Sequence, residues 1–161
     1  MTRKYAITGG AGFIGSNLAE ALADGNEVVV VDDLSAGRRE NLAGLDIELV
    51  EGSILDLDLL KEAFEGCDCV FHQAAIASVQ RSVEDPIQTS RVGVEGTLNV
   101  LVAARDAGAE KVVFASSAAV YGDSPVLPKR EDMRPEPKSP YAAGKLAGEG
   151  YCIAFNEVYG M

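Results

Sequence analysis

Eight residues near the start of the chain, Thr8-Gly9-Gly10-Ala11-Gly12-Phe13-Ile14-Gly15, constrain its fold more than any other stretch. They join a short apolar run, Lys4–Thr8, to a helically spaced segment, Phe13–Ala23. In that segment Phe13, Ile14, Leu18, Ala21 and Leu22 form an apolar stripe. Gly9, Gly12 and Gly15 follow a G-x-x-G-x-x-G spacing. Glycines let the backbone turn tightly and let a helix begin close against a strand. The unpaired N–H groups and the positive dipole end at the start of that helix then offer a seat for an anion. A glycine-rich turn alone often does no more than turn. With a strand before it, an amphipathic helix after it and a second strand beyond, the expected ligand is the pyrophosphate of a dinucleotide.

The rest of the chain repeats the alternation. Asp24-Gly25-Asn26 is a turn signal, and Val28-Val29-Val30-Val31 is the β-branched run of a strand buried on both faces. Strands are expected at Ile47–Val50, Cys69–Phe71 and Lys111–Ala115. A short helix is expected at Leu57–Phe64, capped by Asp56. One long helix is expected from about Pro86 to Ala107, closed by Gly108, and a last one from about Pro140 to Val158. Tyr121–Ser139, proline-rich and charged, has the length of a binding loop. Strands alternating with helices predict an α/β fold of Rossmann type, a doubly wound parallel sheet with helices on both faces. At 161 residues the chain suits one domain.

Composition excludes several classes. No apolar run reaches the roughly 18 residues a membrane span requires. Met1-Thr2-Arg3-Lys4 enters the first strand too soon for a signal peptide. A formal charge of −11 argues against nucleic acid and anionic lipid as partners. Cys67, Cys69 and Cys152 are odd in number and poorly spaced for disulfides. Cys67-Asp68-Cys69 could touch a metal, but with one histidine and no second cysteine pair, small buried residues beside a strand are the better account, and no metal is expected. Reduced thiols fit the cytoplasm.

Asp32 closes the second strand, where a carboxylate can accept both hydroxyls of an adenosine ribose and would repel a 2′-phosphate. This favours NAD over NADP, although Arg38-Arg39 close by could welcome such a phosphate or could be a solvated pair. Ser116-Ser117 follow the fifth strand, at the sheet edge where ligands bind in such folds. Tyr141 and Lys145 are i and i+4 at the start of the last helix, on one face. A free tyrosine ionises near pH ~10 and is a poor base at neutrality. An ammonium and an oxidised nicotinamide beside it would stabilise the phenolate, giving a general base for a sugar hydroxyl, with a serine to orient the same oxygen. His72, the only histidine, could be catalytic, but a packed histidine beside the cofactor is the better expectation.

Seven segments together resemble a known family. They are T-G-G-A-G-F-I-G at 8–15, V-D-D-L-S at 31–35, H-Q-A-A at 72–75, S-V-E-D-P at 82–86, V-E-G-T at 94–97, S-S-A-A-V-Y-G at 116–122 and S-P-Y-A-A-G-K at 139–145. They look like the extended short-chain dehydrogenase/reductases of the NAD-dependent epimerase/dehydratase family, and most like the UDP-glucose 4-epimerases. The resemblance implies that Gly9, Gly12 and Gly15, with Phe13 and Ile14, cradle the pyrophosphate. It implies that Asp32 and Asp33 hold the adenosine ribose, that Ser53 and Ile54 lie at the adenine, and that Ala74, Ala75 and Ser116 line the cofactor. Ser117, Tyr141 and Lys145 match the catalytic serine, the base, and the lysine that binds the nicotinamide ribose.

The sequence also departs from the family pattern. Ser53 stands where an aspartate is common, Asp33 where an asparagine is, and Gly93 where an asparagine precedes V-x-G-T. Ala118 and Ala119 replace the Asp-Glu pair of the sugar-nucleotide dehydratases, which argues for oxidation and reduction at one carbon. Family members run to about twice this length, so the sugar-nucleotide-binding part is expected to be missing. Three functions follow: C4 epimerisation of a UDP-hexose, another epimerase, decarboxylase or reductase activity on the same scaffold, or an NAD-binding module without turnover. In the family, the helices at about 86–107 and 140–158 also build a homodimer, so their outer faces are expected to be interface.

Overall fold

A computed structural model describes residues 2–161. Five strands form one parallel sheet: β1 (Lys4–Thr8), β2 (Glu27–Asp32), β3 (Glu48–Glu51), β4 (Cys69–His72) and β5 (Lys111–Phe114), in the spatial order β3-β2-β1-β4-β5. The order reverses beside β1, so the carboxyl ends of β1 and β4 flank the crevice in which such sheets bind ligands.

Each helix follows from its local sequence. α1 (Phe13–Ala23) opens at Gly12. α2 (Leu57–Ala63) is capped by Asp56, which accepts the Leu59 N–H at 3.1 Å. α3 (Val79–Glu84) is capped by Ser78 and α4 (Pro86–Ser90) by Asp85, with Pro86 at the first helical position where its missing N–H costs nothing. α5 spans Thr97–Asp106 and ends at Gly108, φ +74°. α6 (Pro140–Tyr159) combines a Ser139 cap with Pro140 and closes at Gly160, φ +72°.

The core lies on both sides of the sheet, and the period of two decides who faces where. Val29, Val31, Ala6 and Val70 pack with Leu60, Phe64, Val100 and Ala104 from α2 and α5. Val28, Val30 and Ile7 face the other way, against Ala19 and the partly buried Leu18 and Leu22 of α1. The four-valine run is therefore apolar throughout because neither face of β2 meets water.

The structure departs from the sequence reading in three details. The stretch from Pro86 to Asp106 is helical without a break, as expected, but it is not α-helical throughout. A wide π-helical turn, Arg91–Gly96, separates α4 from α5. Gly96 is pressed onto Ile54, where a Cβ would fall 2.6 Å from Cδ1, and the Thr97 hydroxyl donates to the Gly93 carbonyl at 2.8 Å. Second, the stripe expected on α1 holds only in part: Leu18 and Leu22 pack on the core beside the buried Gly15, Ser16 and Ala19, while Phe13 and Ile14 are 84% and 61% exposed. The helix lies too close to the sheet for large side chains at its start. Third, α3 was not expected; six residues are too few to show a period.

Among the described residues no helix is long and apolar enough to cross a membrane, and no group of three or more His, Cys, Asp or Glu is placed to hold a metal. All three cysteines are free; Cys67 and Cys69 are buried, and burial pushes the Cys67 thiol up to about 11.

Candidate active site

Gly9 adopts φ +69° and a Cβ there would sit 2.6 Å from the Ala74 nitrogen, so β1 and β4 can meet at this edge only without a side chain. A Cβ on Gly15 would fall 2.3 Å from the Gly9 carbonyl oxygen. Gly12 donates to that same oxygen at 3.2 Å and accepts from Ser16 at 2.9 Å. No side chain caps α1 and its first turn carries no acid, so the positive end of the helix meets the crevice without a competing charge. The turn has the form of a cradle that a single Cβ would fill, and it fits a diphosphate.

Asp32 is buried at the end of β2, 7% exposed. Its Oδ2 accepts the Ala11 N–H at 2.9 Å and its Oδ1 the Leu34 N–H at 2.8 Å, which ties the glycine turn to the next loop. Each oxygen keeps a lone pair for a ribose hydroxyl. Leu34 pays for its amide contact with a left-handed backbone, φ 55°, uncommon for a branched side chain. Asp33 is exposed and folds onto Ser35, accepting its N–H at 3.0 Å. Arg39 pairs with Glu51 at the end of β3, whereas Arg38 is exposed and makes no ion pair among the described residues. Ser53 accepts the Leu55 N–H at 3.2 Å, and the Ile54 side chain is buried against Gly96. Asn99, unremarked in the sequence, clamps this corner by donating to the carbonyls of Ile54 and Leu55 at 3.1 and 3.3 Å.

The other half of the site rests on α6, which carries glycines at 144, 148 and 150 despite a cost of about 1 kcal/mol each relative to alanine. One has a packing reason: a Cβ on Gly148 would strike the Phe114 ring at 2.5 Å, whereas one on Gly144 would lie in ordinary contact, 4.0 Å from the Gly93 Cα. The close approach buries Lys145 to 8% exposure. Its Nζ donates to the Ala115 carbonyl at 2.6 Å, lies 4.7 Å from the centre of the Phe114 ring and 6.0 Å from that of Tyr141. Burial lowers its pKa to about 8, so the ammonium persists at neutrality but is held at a cost. Tyr141 and Lys145 line one pocket with Ala75, Ile76, Thr89, Gly93 and Gly144. The Thr89 hydroxyl there is buried and has no partner among the described residues.

Ser116 donates to Glu149 on α6. Ser117 caps the 3-10 turn at 118–121, accepting the Ala119 N–H at 3.2 Å, and that turn packs on α6. His72 is 1% exposed between Thr8, at 2.7 Å from Nδ1, and Thr97, at 3.0 Å from Nε2. Burial and the Lys145 charge lower its pKa to about 3, so it is a neutral, packed residue. Ala74 abuts Gly9 and its neighbour Ala75 lines the pocket of Tyr141 and Lys145, so consecutive residues after β4 link the glycine turn to that pocket.

A family model described as the NAD dependent epimerase/dehydratase family matches residues 5–161. The UDP-glucose 4-epimerase of Mycolicibacterium smegmatis is 48% identical over 163 residues, covering 96% of this chain and 52% of that protein. A UDP-N-acetylglucosamine 4-epimerase from Methanobrevibacter ruminantium, solved with UDP-N-acetylmuramic acid, superposes with a TM-score of 0.95 at 38% identity, over 99% of this chain and 52% of the other. The Thermus thermophilus UDP-glucose 4-epimerase, solved with NAD, gives 0.90 at 43% identity, over 98% and 52%. The chain spans about half the length of the curated relatives it matches.

Proposed function

The chain belongs to the NAD-dependent epimerase/dehydratase family, and on that premise we propose that it is the cofactor-binding and proton-transferring part of an enzyme that epimerises a UDP-hexose at C4. The supporting observation is the shared pocket of Tyr141, Lys145 and Ala75, joined to the glycine cradle through Ala74, which abuts Gly9. When bound, NAD supplies the hydride acceptor and, on return, the donor. Gly9, Gly12 and Gly15, with the first-turn N–H groups of Phe13 and Ile14, grip the diphosphate. Asp32 takes the adenosine ribose hydroxyls, with Asp33, Ser53 and Ile54 at its rim. Ala74, Ala75 and Ser116 line the nicotinamide half. The Tyr141 oxygen accepts the proton of the sugar 4-hydroxyl and returns it after the 4-keto sugar has presented its other face. Ser117 orients that hydroxyl, and the buried Lys145 ammonium keeps a positive charge beside the phenol ring. Ala118 and Ala119, with no acid or base for an elimination, favour epimerisation over loss of water.

Full-length protein is expected to interconvert UDP-glucose and UDP-galactose with NAD and no net redox change, followed by NMR of the anomeric protons. A substrate panel in which only a decarboxylated or deoxygenated sugar forms would sink the assignment. The half-length coverage favours one further reading, that the 161-residue chain by itself binds NAD without turnover. Calorimetry with NAD and with UDP tests it, binding of NAD alone being the expected result. The exposed Ile87 on α4, and Ile153 and Val158 on α6, are assigned to a homodimer interface built by the helices at about 86–107 and 140–158, checked by sedimentation. The free thiols fit a reducing, cytoplasmic setting.

Asp32 makes a separate prediction. NAD is expected to bind at least about tenfold more tightly than NADP, because a 2′-phosphate would face a buried carboxylate. Asp32→Asn, which exchanges one charged acceptor for a donor, should weaken NAD about tenfold and narrow that gap. Equal affinities for the two cofactors in the unaltered chain would show that Asp32 does not read the ribose.

A further inference from the structure

The buried polar chain through His72 admits one arrangement of protons. Thr97 Oγ1 lies 2.8 Å from the Gly93 carbonyl, which can only accept, so the single hydroxyl proton points there. Toward His72 Nε2, at 3.0 Å, the same oxygen can then only accept, so Nε2 carries the ring proton. In the neutral ring Nδ1 is bare and accepts from Thr8 Oγ1 at 2.7 Å. A lone pair of Thr8 Oγ1 faces the Ala74 N–H at 3.4 Å. A doubly protonated ring would leave the Thr8 proton without an acceptor and would bury a cation near Lys145.

Both ends of this chain lie at the site. Ala74 is the backbone against which Gly9 packs. Gly93 belongs to the wide turn, its Cα facing Gly144, between Tyr141 and Lys145 on α6. Such turns spend the normal helix ladder, and here a side-chain hydroxyl takes up the Gly93 carbonyl. We infer that His72, held as the Nε2–H tautomer, is a positioning residue that fixes the distance between the phosphate-cradling strand edge and the turn supporting the Tyr141 helix. The inference concerns placement of the two halves and rests on the cofactor reading only for its affinity readout.

The 161-residue chain is the material for the test, and its lone histidine makes the imidazole signals unambiguous. Nitrogen-resolved NMR of the unaltered chain is expected to show the Nε2–H tautomer alone. Thr97→Val keeps the shape and removes both hydroxyl bonds; Thr97→Ser keeps them. The valine variant should shift the Ala74 and Gly144 amide signals and weaken NAD about tenfold, and the serine variant should do neither. An Nδ1–H ring or a mixture of tautomers overturns the inference, whether or not the valine variant folds. So do unmoved Ala74 and Gly144 amides in a folded valine variant. Should the unaltered chain bind no NAD, the cofactor reading falls while tautomer and amide signals still decide the positioning role.

Discussion

Replacing Tyr141 by phenylalanine is expected to lower turnover of the full-length protein by about 10²- to 10⁴-fold, the usual contribution of a positioned general base. That is roughly 3–5 kcal/mol of transition-state stabilisation. The substitution removes one oxygen and nothing that holds the site together. Tyr141 is the second residue of α6; Ser139 caps the helix through the Ala142 N–H at 3.1 Å, and the Lys145 ammonium is anchored to Ala115 rather than to the phenol. The pocket wall formed by the ring therefore survives, and NAD affinity of the chain should change less than about twofold. The loss belongs in kcat, because a proton acceptor acts only as the reaction proceeds. Steady-state kinetics with UDP-galactose, paired with NAD calorimetry, separates the two quantities. Turnover within tenfold of the unaltered enzyme would remove Tyr141 from the base role, and a matching fall in NAD affinity would make the residue a wall of the cofactor pocket.

How far the sequence reveals this site depends on the distance over which each constraint acts. The glycine turn was legible because its demands are local: Gly9 and Gly15 are needed by backbone atoms within their own turn and by the one strand it abuts. The β2 valines were legible because burial on both faces leaves a run with no polar interruption. Phe13 and Ile14 misled because an apolar residue beside a sheet normally enters the core, yet here the small residues do so and the large ones stand at the crevice. The wide turn at 91–96 was illegible because its cause is tertiary. Gly96 is shaped by Ile54, forty-two positions earlier, and Gly93 faces Gly144, fifty-one positions later. Asn99 looked like an ordinary helix residue, and Thr97, though part of the V-E-G-T segment, gave no sign of its partner, since nothing near either in sequence names the carbonyls and the imidazole they serve. Gly148 and Phe114 carry the same lesson: a helix-weakening residue makes sense only when the ring it must clear is known.

Acid should unfold this chain through His72 more steeply than through any exposed group. The buried ring holds its pKa near 3, against about 6.5 in an unfolded chain. Below about pH 6.5 the unfolded state takes up a proton that the folded state refuses, so the unfolded state binds more protons and stability falls as pH falls. Each pH unit in that window costs about 1.4 kcal/mol, and the loss levels off near pH 3, where the folded ring also titrates. The whole effect is on the order of 5 kcal/mol, comparable to the entire stability of many domains. Carboxylates contribute their own acid dependence, so the measurement is a difference. At pH 7, His72→Gln should be the less stable protein by about 1–3 kcal/mol, because the Thr8 and Thr97 hydroxyls cannot both keep their partners. Between pH 7 and pH 4.5 the unaltered chain should lose about 2–3 kcal/mol more than the variant, bringing the two urea midpoints together. Parallel curves over that range would mean that the ring takes up its proton inside the fold, and the neutral, buried histidine would have to be given up.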